Sequence, residues 1–320
     1  MAVDLLSDVL AMIRLTGAMV FHVDVRGPWG FASHPTPERL APLLPDHSHH
    51  LIAFHVLLEG SCWIRHAACD WFKARAGQAV ILPLGTAHDL CDQPGRRIAP
   101  FDSVLGGARL PELRHVRFGP AGDNRVSLLC GFLGCDRRAF QPLFNSLPIA
   151  FTVKLGSQLQ ALVHYEVRNA LDDQPGAANL RVRLAELLFT ESLRRYARAL
   201  PAEATGWLAG LSDPLVGRAL QALHAEPCRS WSVESLAKVA LASRSSLASR
   251  FCELIGEPPM RYLTQLRMQR AAQRLSAGSS TVAGIADEVG YASSAAFQRA
   301  FKRSFGLPPA AWRRRAGIGA

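Results

Sequence analysis

GYASSAAFQRAFKRSFGLPP, residues 290–309, decides the fold, because a near copy of it, ALASRSSLASRFCELIGEPP, stands earlier at residues 240–259. Ser243, Leu247, Phe251, Gly256, Pro258 and Pro259 align with Ser293, Phe297, Phe301, Gly306, Pro308 and Pro309. In each copy a serine precedes apolar residues four apart, and a Gly-x-Pro-Pro follows. That pattern predicts a short helix with an N-cap, one buried face and a fixed end.

Working outward, the segment before the first copy, SVESLAKVALA, predicts another short helix from Ser232 that breaks near residues 240–242. Its expected buried positions, with those of the next helix, are Leu236, Val239, Leu247 and Phe251. Two short helices joined by a tight turn form a helix-turn-helix. TVAGIADEVGY precedes the second copy in the same way, with Gly290 in the turn. Between the modules, PPMRYLTQLRMQRAAQRL predicts a helical strut about 27 Å long, with Tyr262, Leu266, Met268 or Ala271, and Leu275 turned inward. DPLVGRALQALHAEP, residues 213–227, opens with Asp-Pro, an N-cap followed by proline at the first helical position, and predicts a further amphipathic helix.

Charge follows the same boundary. The chain has 320 residues and a net charge of +10, and residues 213–315 hold fifteen Lys/Arg against seven Asp/Glu, so most of the excess lies there. A basic surplus confined to one domain points to a polyanionic partner. Hydrophobic content of 49% with 19% charged residues is that of a globular protein. No apolar run reaches the ~20 residues of a membrane span, and MAVDLLSDVL carries acids where a signal peptide carries positive charge, so a cytoplasmic location is expected. Seven cysteines without CxxC spacing exclude a disulfide framework and a zinc ribbon.

The combination GIADEVGY, S-x-x-x-F-x-R-x-F-K and FG-x-PP-x-x-W-R, after a first S-R-S-x-L-x-x-x-F module, closely resembles the AraC/XylS transcription regulators. The resemblance covers residues 213–315 and implies a domain whose two recognition helices enter successive major grooves of promoter double-stranded DNA, with RNA polymerase as a further partner. On the second recognition helix the exposed early positions are Ser294, Ala295, Ala296, Gln298 and Arg299. Arg299 suits a bidentate contact to guanine, and the alanines suit a thymine methyl. The first helix offers Ser245, Ala248 and Ser249, flanked by Arg244 and Arg250. It departs from relatives that carry longer polar residues at Ala248 and Ser249, so base reading through shape is an alternative there. Lys302, Arg303, Arg261, Arg267 and Arg313 to Arg315 are read as phosphate contacts or a solvated face.

Toward the N-terminus, an initial helix, DLLSDVLAMIRL, gives way to alternating strands in GAMVFHVDVRG, LIAFHVLLEGSCWIRH and GQAVILPLGTAHDL. Gly77, Pro83, Gly85 and His88 fit G-x5-P-x-G-x-x-H, the second sequence motif of cupins, and the order of segments resembles the cupin-type sensor of some AraC-like regulators. The resemblance implies an effector held in the barrel. Phe54, His55, Leu57, Trp63, Ile81 and His88 are candidate lining residues, although alternation does not say which face is inside. The first cupin motif is degenerate, so no cofactor is expected; a metal, if present, falls to His88 with His55 or His49. Cys91, Cys130 and Cys135 are candidates for a redox response.

Beyond residue 140, SQLQALVHYEVRNAL and ANLRVRLAELLFTESLRRYARAL predict two helices that resemble the family's dimerisation element, the alternative being that they pack on the barrel. PAEATG, residues 201–206, reads as a linker. The expected protein is therefore α+β: a cupin-like β-barrel with a helical dimerisation element over residues 1–200, a linker over 201–212, and an all-α domain with two helix-turn-helix modules over 213–315. The expected function is a sequence-specific, effector-controlled transcription regulator, an activator and homodimer rather than an enzyme. A metal-dependent cupin enzyme fused to a DNA-binding domain is the alternative.

Overall fold

The computed structural model describes residues 4–13, 15, 17–35, 50–104, 114–119, 124–135, 140–169, 175–278 and 280–315. Packing divides the chain into two compact units, one of Leu15–Asp136 with Leu147–Ala199, the other of Met1–Arg14, Arg137–Ser146 and Leu200–Ala320. The chain begins with α1 (Leu5–Ile13), β1 (Gly17–Arg26), β2 (Gly30–Ser33), β3 (His50–Glu59) and β4 (Ser61–His66). It continues through β5 (Phe72–Arg75), β6 (Gln78–Leu82), β7 (His88–Cys91), β8 (Ala99–Pro100), α2 (Phe101–Val104) and β9 (His115–Phe118). β10 (Arg125–Cys135), α3 (Gln141–Ser146), β11 (Phe151–Lys154), α4 (Ser157–Asn169) and α5 (Ala177–Arg198) follow.

The strands form a six-stranded sheet in the order β11-β6-β3-β10-β1-β9 and a five-stranded sheet in the order β5-β4-β7-β2-β8. They share one core: Phe21, Val23, Leu51, Ala53, Leu57, Val80 and Leu128 from the first meet Phe31, Cys62, Ile64, Ala74 and Leu90 from the second. The expected barrel is thus realised as two facing sheets that are not hydrogen-bonded into a closed cylinder among the described residues. β3 is buried over nearly its whole length, because α5 packs against β1, β6, β10 and β11 and covers the other face of the larger sheet. In the cupin motif Gly85 takes φ +55, and a Cβ there would lie 2.4 Å from the Leu51 carbonyl oxygen, so only glycine fits the turn that delivers His88 to β7.

The other unit is helical. α6 (Trp207–Ser212), α7 (Pro214–Ala225), α8 (Val233–Val239) and α9 (Arg244–Ile255) come first; α10 (Pro259–Ala277), α11 (Val282–Glu288), α12 (Ser294–Phe305) and α13 (Pro309–Arg315) complete it. The caps are those the sequence indicates. Asp213 accepts from the Leu215 and Val216 amides, Ser232 forms a capping box with Ser235, and Ser243 and Ser293 accept from the Ser246 and Ala296 amides. Gly256 and Gly306 close the two recognition helices in the left-handed conformation. Tyr262, Leu266, Met268, Ala271 and Leu275 are buried along the strut, as expected, but Val239 is 41% exposed because α8 ends there. Residues 207–212, within the stretch read as a linker, are helical, and Trp207 is buried.

α1 belongs to this helical unit. Its Asp8 accepts a 2.6 Å hydrogen bond from Nδ1 of buried His224, whose Nε2 in turn accepts from the Tyr262 hydroxyl at 2.7 Å. Trp207 Nε1 donates to the same hydroxyl, and Arg270 donates to both the Asp8 carboxylate and the His224 carbonyl. His224 and the arginine together hold the Asp8 carboxyl below the usual range, although burial opposes them. No local pattern announces this network, since its members lie up to 262 positions apart.

Candidate functional site

The two helix-turn-helix modules are not identical repeats. The recognition helices begin at residues 244 and 294, fifty apart, whereas the helices before them begin at 233 and 282, forty-nine apart. The second turn therefore holds one residue more. Gly290 (φ +81) occupies the left-handed position in that turn, and a Cβ there would meet the Cys228 carbonyl oxygen at 2.6 Å. In the first module the same left-handed position falls to Leu241 (φ +56), which is 79% exposed. Each turn is pinned by an arginine. Arg218 donates twice to the Ala240 carbonyl, and Arg267 donates to the carbonyls of Pro227, Arg229 and Gly290.

Burial of Phe297, Ala300 and Phe301 fixes the orientation of α12 and turns Ala295, Gln298, Arg299, Lys302 and Arg303 to the surface, with Ser294 and Ala296 half-buried beside them. Phe301 anchors this face through contacts to Phe297, Phe305 and Trp312 at 4.7–5.9 Å. Gln298 Nε2 reaches back 3.4 Å to Ser294 Oγ. Arg299 and Lys302 have no hydrogen-bond or ion-pair partner among the described residues, so their donors are available to a ligand. On α9, Leu247, Phe251 and Leu254 are buried, and Arg244, Ser245 and Ser249 are exposed with Ala248 partly so. Arg250 differs from the others: it pairs with Asp213 at 2.9 Å and with Glu253 at 2.9 Å, tying α9 to the start of α7. Three residues read as phosphate contacts are also occupied internally: Arg267 as above, Arg313 by the Ser280 carbonyl and Arg261 by Glu257 at 3.4 Å.

In the sheet unit the alternation resolves the candidate effector residues. His55 and Leu57 on β3 face the shared core, opposite Cys130 and Leu128, and His88 on β7 faces it from the other sheet. Phe54 and Ile81 are register partners on the reverse face, where Phe54 lies against Gly131. Trp63 lies on the outer face of the smaller sheet beneath the Lys73 ammonium. The six candidates therefore do not converge on one site.

Two that do meet, His55 and His88, form with Cys130 a chain whose proton positions follow from its ends. The Thr86 carbonyl can only accept, so His88 donates from Nδ1 (2.7 Å) and its Nε2 is an acceptor. His55 must then donate from Nε2 across the 2.7 Å gap to His88, which leaves His55 Nδ1 to accept from the Cys130 thiol at 3.0 Å. Burial keeps both imidazoles neutral: it pulls His88 down to about 4 and His55 well below its ordinary value. Every ring nitrogen is thereby used. Among the described residues no group of three or more His, Cys, Asp or Glu is placed to hold a metal ion, and His49 lies outside them. The described residues alone do not assemble a metal centre.

Cys91, Cys130 and Cys135 are buried. Desolvation pushes Cys91 up to about 11 and Cys130 well above an ordinary thiol, so neither is a thiolate near neutrality. Arg137 and Arg138, the basic residues that follow Cys135 in the sequence, lie outside the described residues.

Paired helix-turn-helix modules with exposed basic recognition helices, joined in one chain to facing cupin-like sheets, define a class of DNA-binding transcription regulator. A family model described as Cupin matches residues 4–198, and one described as Helix-turn-helix domain matches residues 236–315. An AraC-like transcription regulator of Streptomyces antibioticus is 31% identical over 97% of this chain and 98% of its own length. A second, from Streptomyces lividans, is 34% identical over 82% of this chain and 87% of its own. The RCS-specific HTH-type transcriptional activator RclR of Escherichia coli is 30% identical over 83% and 85%. The chain belongs to the AraC-like transcription regulators.

Proposed function

We propose that this regulator binds promoter DNA sequence-specifically as a homodimer, acts in the cytoplasm without enzymatic activity, and activates transcription through RNA polymerase when an effector binds its sheet unit. The observation that carries the reading is the exposed, unpartnered Arg299 on a helix whose opposite face is locked by Phe297 and Phe301. Base edges in the major groove supply the acceptors that such a guanidinium lacks. Lys302 and Arg303 are exposed on the same helix, and Arg244, Ser245 and Ser249 on the first recognition helix, with base readout assigned chiefly to the second module.

Dimerisation through α4 and α5 is supported by where large apolar side chains are exposed. Leu162 (48%) and Tyr165 (62%) lie three apart on α4, and Leu180 (58%) and Leu187 (45%) lie seven apart on α5. Arg181 and Glu166, both buried, tie these helices together. Among the described residues no helix is long and apolar enough to cross a membrane. The effector acts by population shift, favouring the arrangement of DNA-binding units that matches the target half-sites. A small molecule suits this role better than an oxidant, because the interior thiols are buried and protonated.

Selection of sheared genomic DNA by the purified full chain, at near-physiological salt, tests the reading. Retention of a few sharp sites sharing a repeated half-site is expected. Even retention across the genome, unchanged by any ligand that stabilises the protein, would refute it.

A further inference from the structure

At the edge of the larger sheet a cavity of about 360 Å³ lies between β11 and the C-terminal end of α5, lined by Thr152, Val153, Lys154, Arg195, Arg198 and Ala199. Three of the six carry positive charge and none carries negative charge. Arg195 is held by Glu191 at 2.7 Å, and Glu191 is shared with Arg194. Lys154 and Arg198 have no hydrogen-bond or ion-pair partner among the described residues. Two unpaired like charges on one concave surface, beside a third whose carboxylate partner lies outside the lining, concentrate anions there.

The cleft is also built. A Cβ on Gly156 would lie 2.8 Å from Arg195 Nη2, so the bare backbone at this position leaves room for the guanidinium over the strand end. The tilted rings of Phe151 and Tyr196, 4.5 Å apart, join β11 to α5 immediately beside the cleft, which fixes the spacing of its two walls. A helix C-terminus by itself attracts cations, which accounts for Arg195 and Arg198 but not for Lys154, which comes from the strand. Val153 and Ala199 supply apolar wall, and the volume falls within the ~300–1,000 Å³ of small-molecule sites.

We infer that this cleft binds a small organic oxyanion, a carboxylate or phosphate monoester, and that the effector of the regulator proposed above is held there by that group. The effector assignment rests on the regulator reading; the anion site does not. It places recognition at the outer edge of the larger sheet, whereas the histidines inside the sheet pair already satisfy one another.

The test is calorimetry and thermal denaturation of the full chain with benzoate and phenyl phosphate, with benzamide as the neutral comparator, on wild type and a Lys154→Ala/Arg198→Ala variant. Both residues are exposed, so the variant is expected to fold, as circular dichroism will check; Lys154→Met alone serves as the second variant. The expected result is saturable binding of an anionic probe, none of benzamide, at least tenfold weaker binding in the double variant, and an altered affinity of the wild type for its selected DNA. Absence of saturable anion binding, or equal binding in the variants, overturns the site, and genomic selection that still succeeds leaves the regulator reading standing. Binding that leaves DNA affinity unchanged overturns the effector assignment.

Discussion

Replacing Arg299 by alanine removes a guanidinium that is exposed and has no partner in the described structure. Nothing in the protein is left unsatisfied, and alanine is the strongest helix former, so folding stability should change by no more than about 0.5 kcal/mol. Arg250, by contrast, has Asp213 and Glu253 as partners, and its loss frees a carboxylate at the cap of α7. If Arg299 makes a bidentate contact to guanine, its loss costs about 1–3 kcal/mol on the specific site. At about 1.4 kcal/mol per tenfold, that is roughly a 5- to 150-fold rise in Kd. Fluorescence anisotropy with the selected site, its single-base variants and random DNA at fixed salt reads all three quantities. Preference at one base position should relax while random DNA is bound within about twofold of wild type. An equal loss on specific and random DNA would make Arg299 a phosphate contact and refute the base-reading argument.

Three further outcomes are expected. Acid should destabilise the sheet unit: buried His88 and His22 stay neutral down to about 4 when folded but protonate near 6.5 when unfolded, so their contribution is complete above 6.5 and lost between 6.5 and 4. At 1.36 kcal/mol per unit each forfeits about 2 kcal/mol by pH 5, and denaturant titrations showing equal stability at pH 7 and pH 5 would contradict this. Leu241→Gly should stabilise by about 0.5 kcal/mol, since removing left-handed strain of about 1 kcal/mol outweighs the added freedom of the unfolded chain and the exposed side chain buries little; a loss in chemical denaturation would show the strain to be absent. Maleimide should label Cys69, Cys228 and Cys252 in the native protein, and Cys62, Cys91, Cys130 and Cys135 only after unfolding, as peptide mass mapping can establish.

What the sequence determined by itself was everything carried by local pattern. The caps at Asp213, Ser232, Ser243 and Ser293, the glycine stops and the apolar spacing of α9, α10 and α12 are short-range features, because capping and amphipathicity act within about four residues. The exposure of Arg299 follows from the same periodicity. Tertiary structure decided what depends on partners distant in the chain. Alternation put His55 and Leu57 on one face and Phe54 on the other, but only the position of α5 and the second sheet settled which face was the shared core. Arg250 and Arg267 read as members of a basic surface until Asp213 and three backbone carbonyls, more than twenty positions away, claimed them. The cation-lined cleft joins Lys154 to Arg195 and Arg198, some forty positions apart on a strand and a helix, and no periodicity relates them. Burial and hydrogen bonding between remote segments are set by the packed fold, and they decide which of many similar arginines and histidines remains free to act.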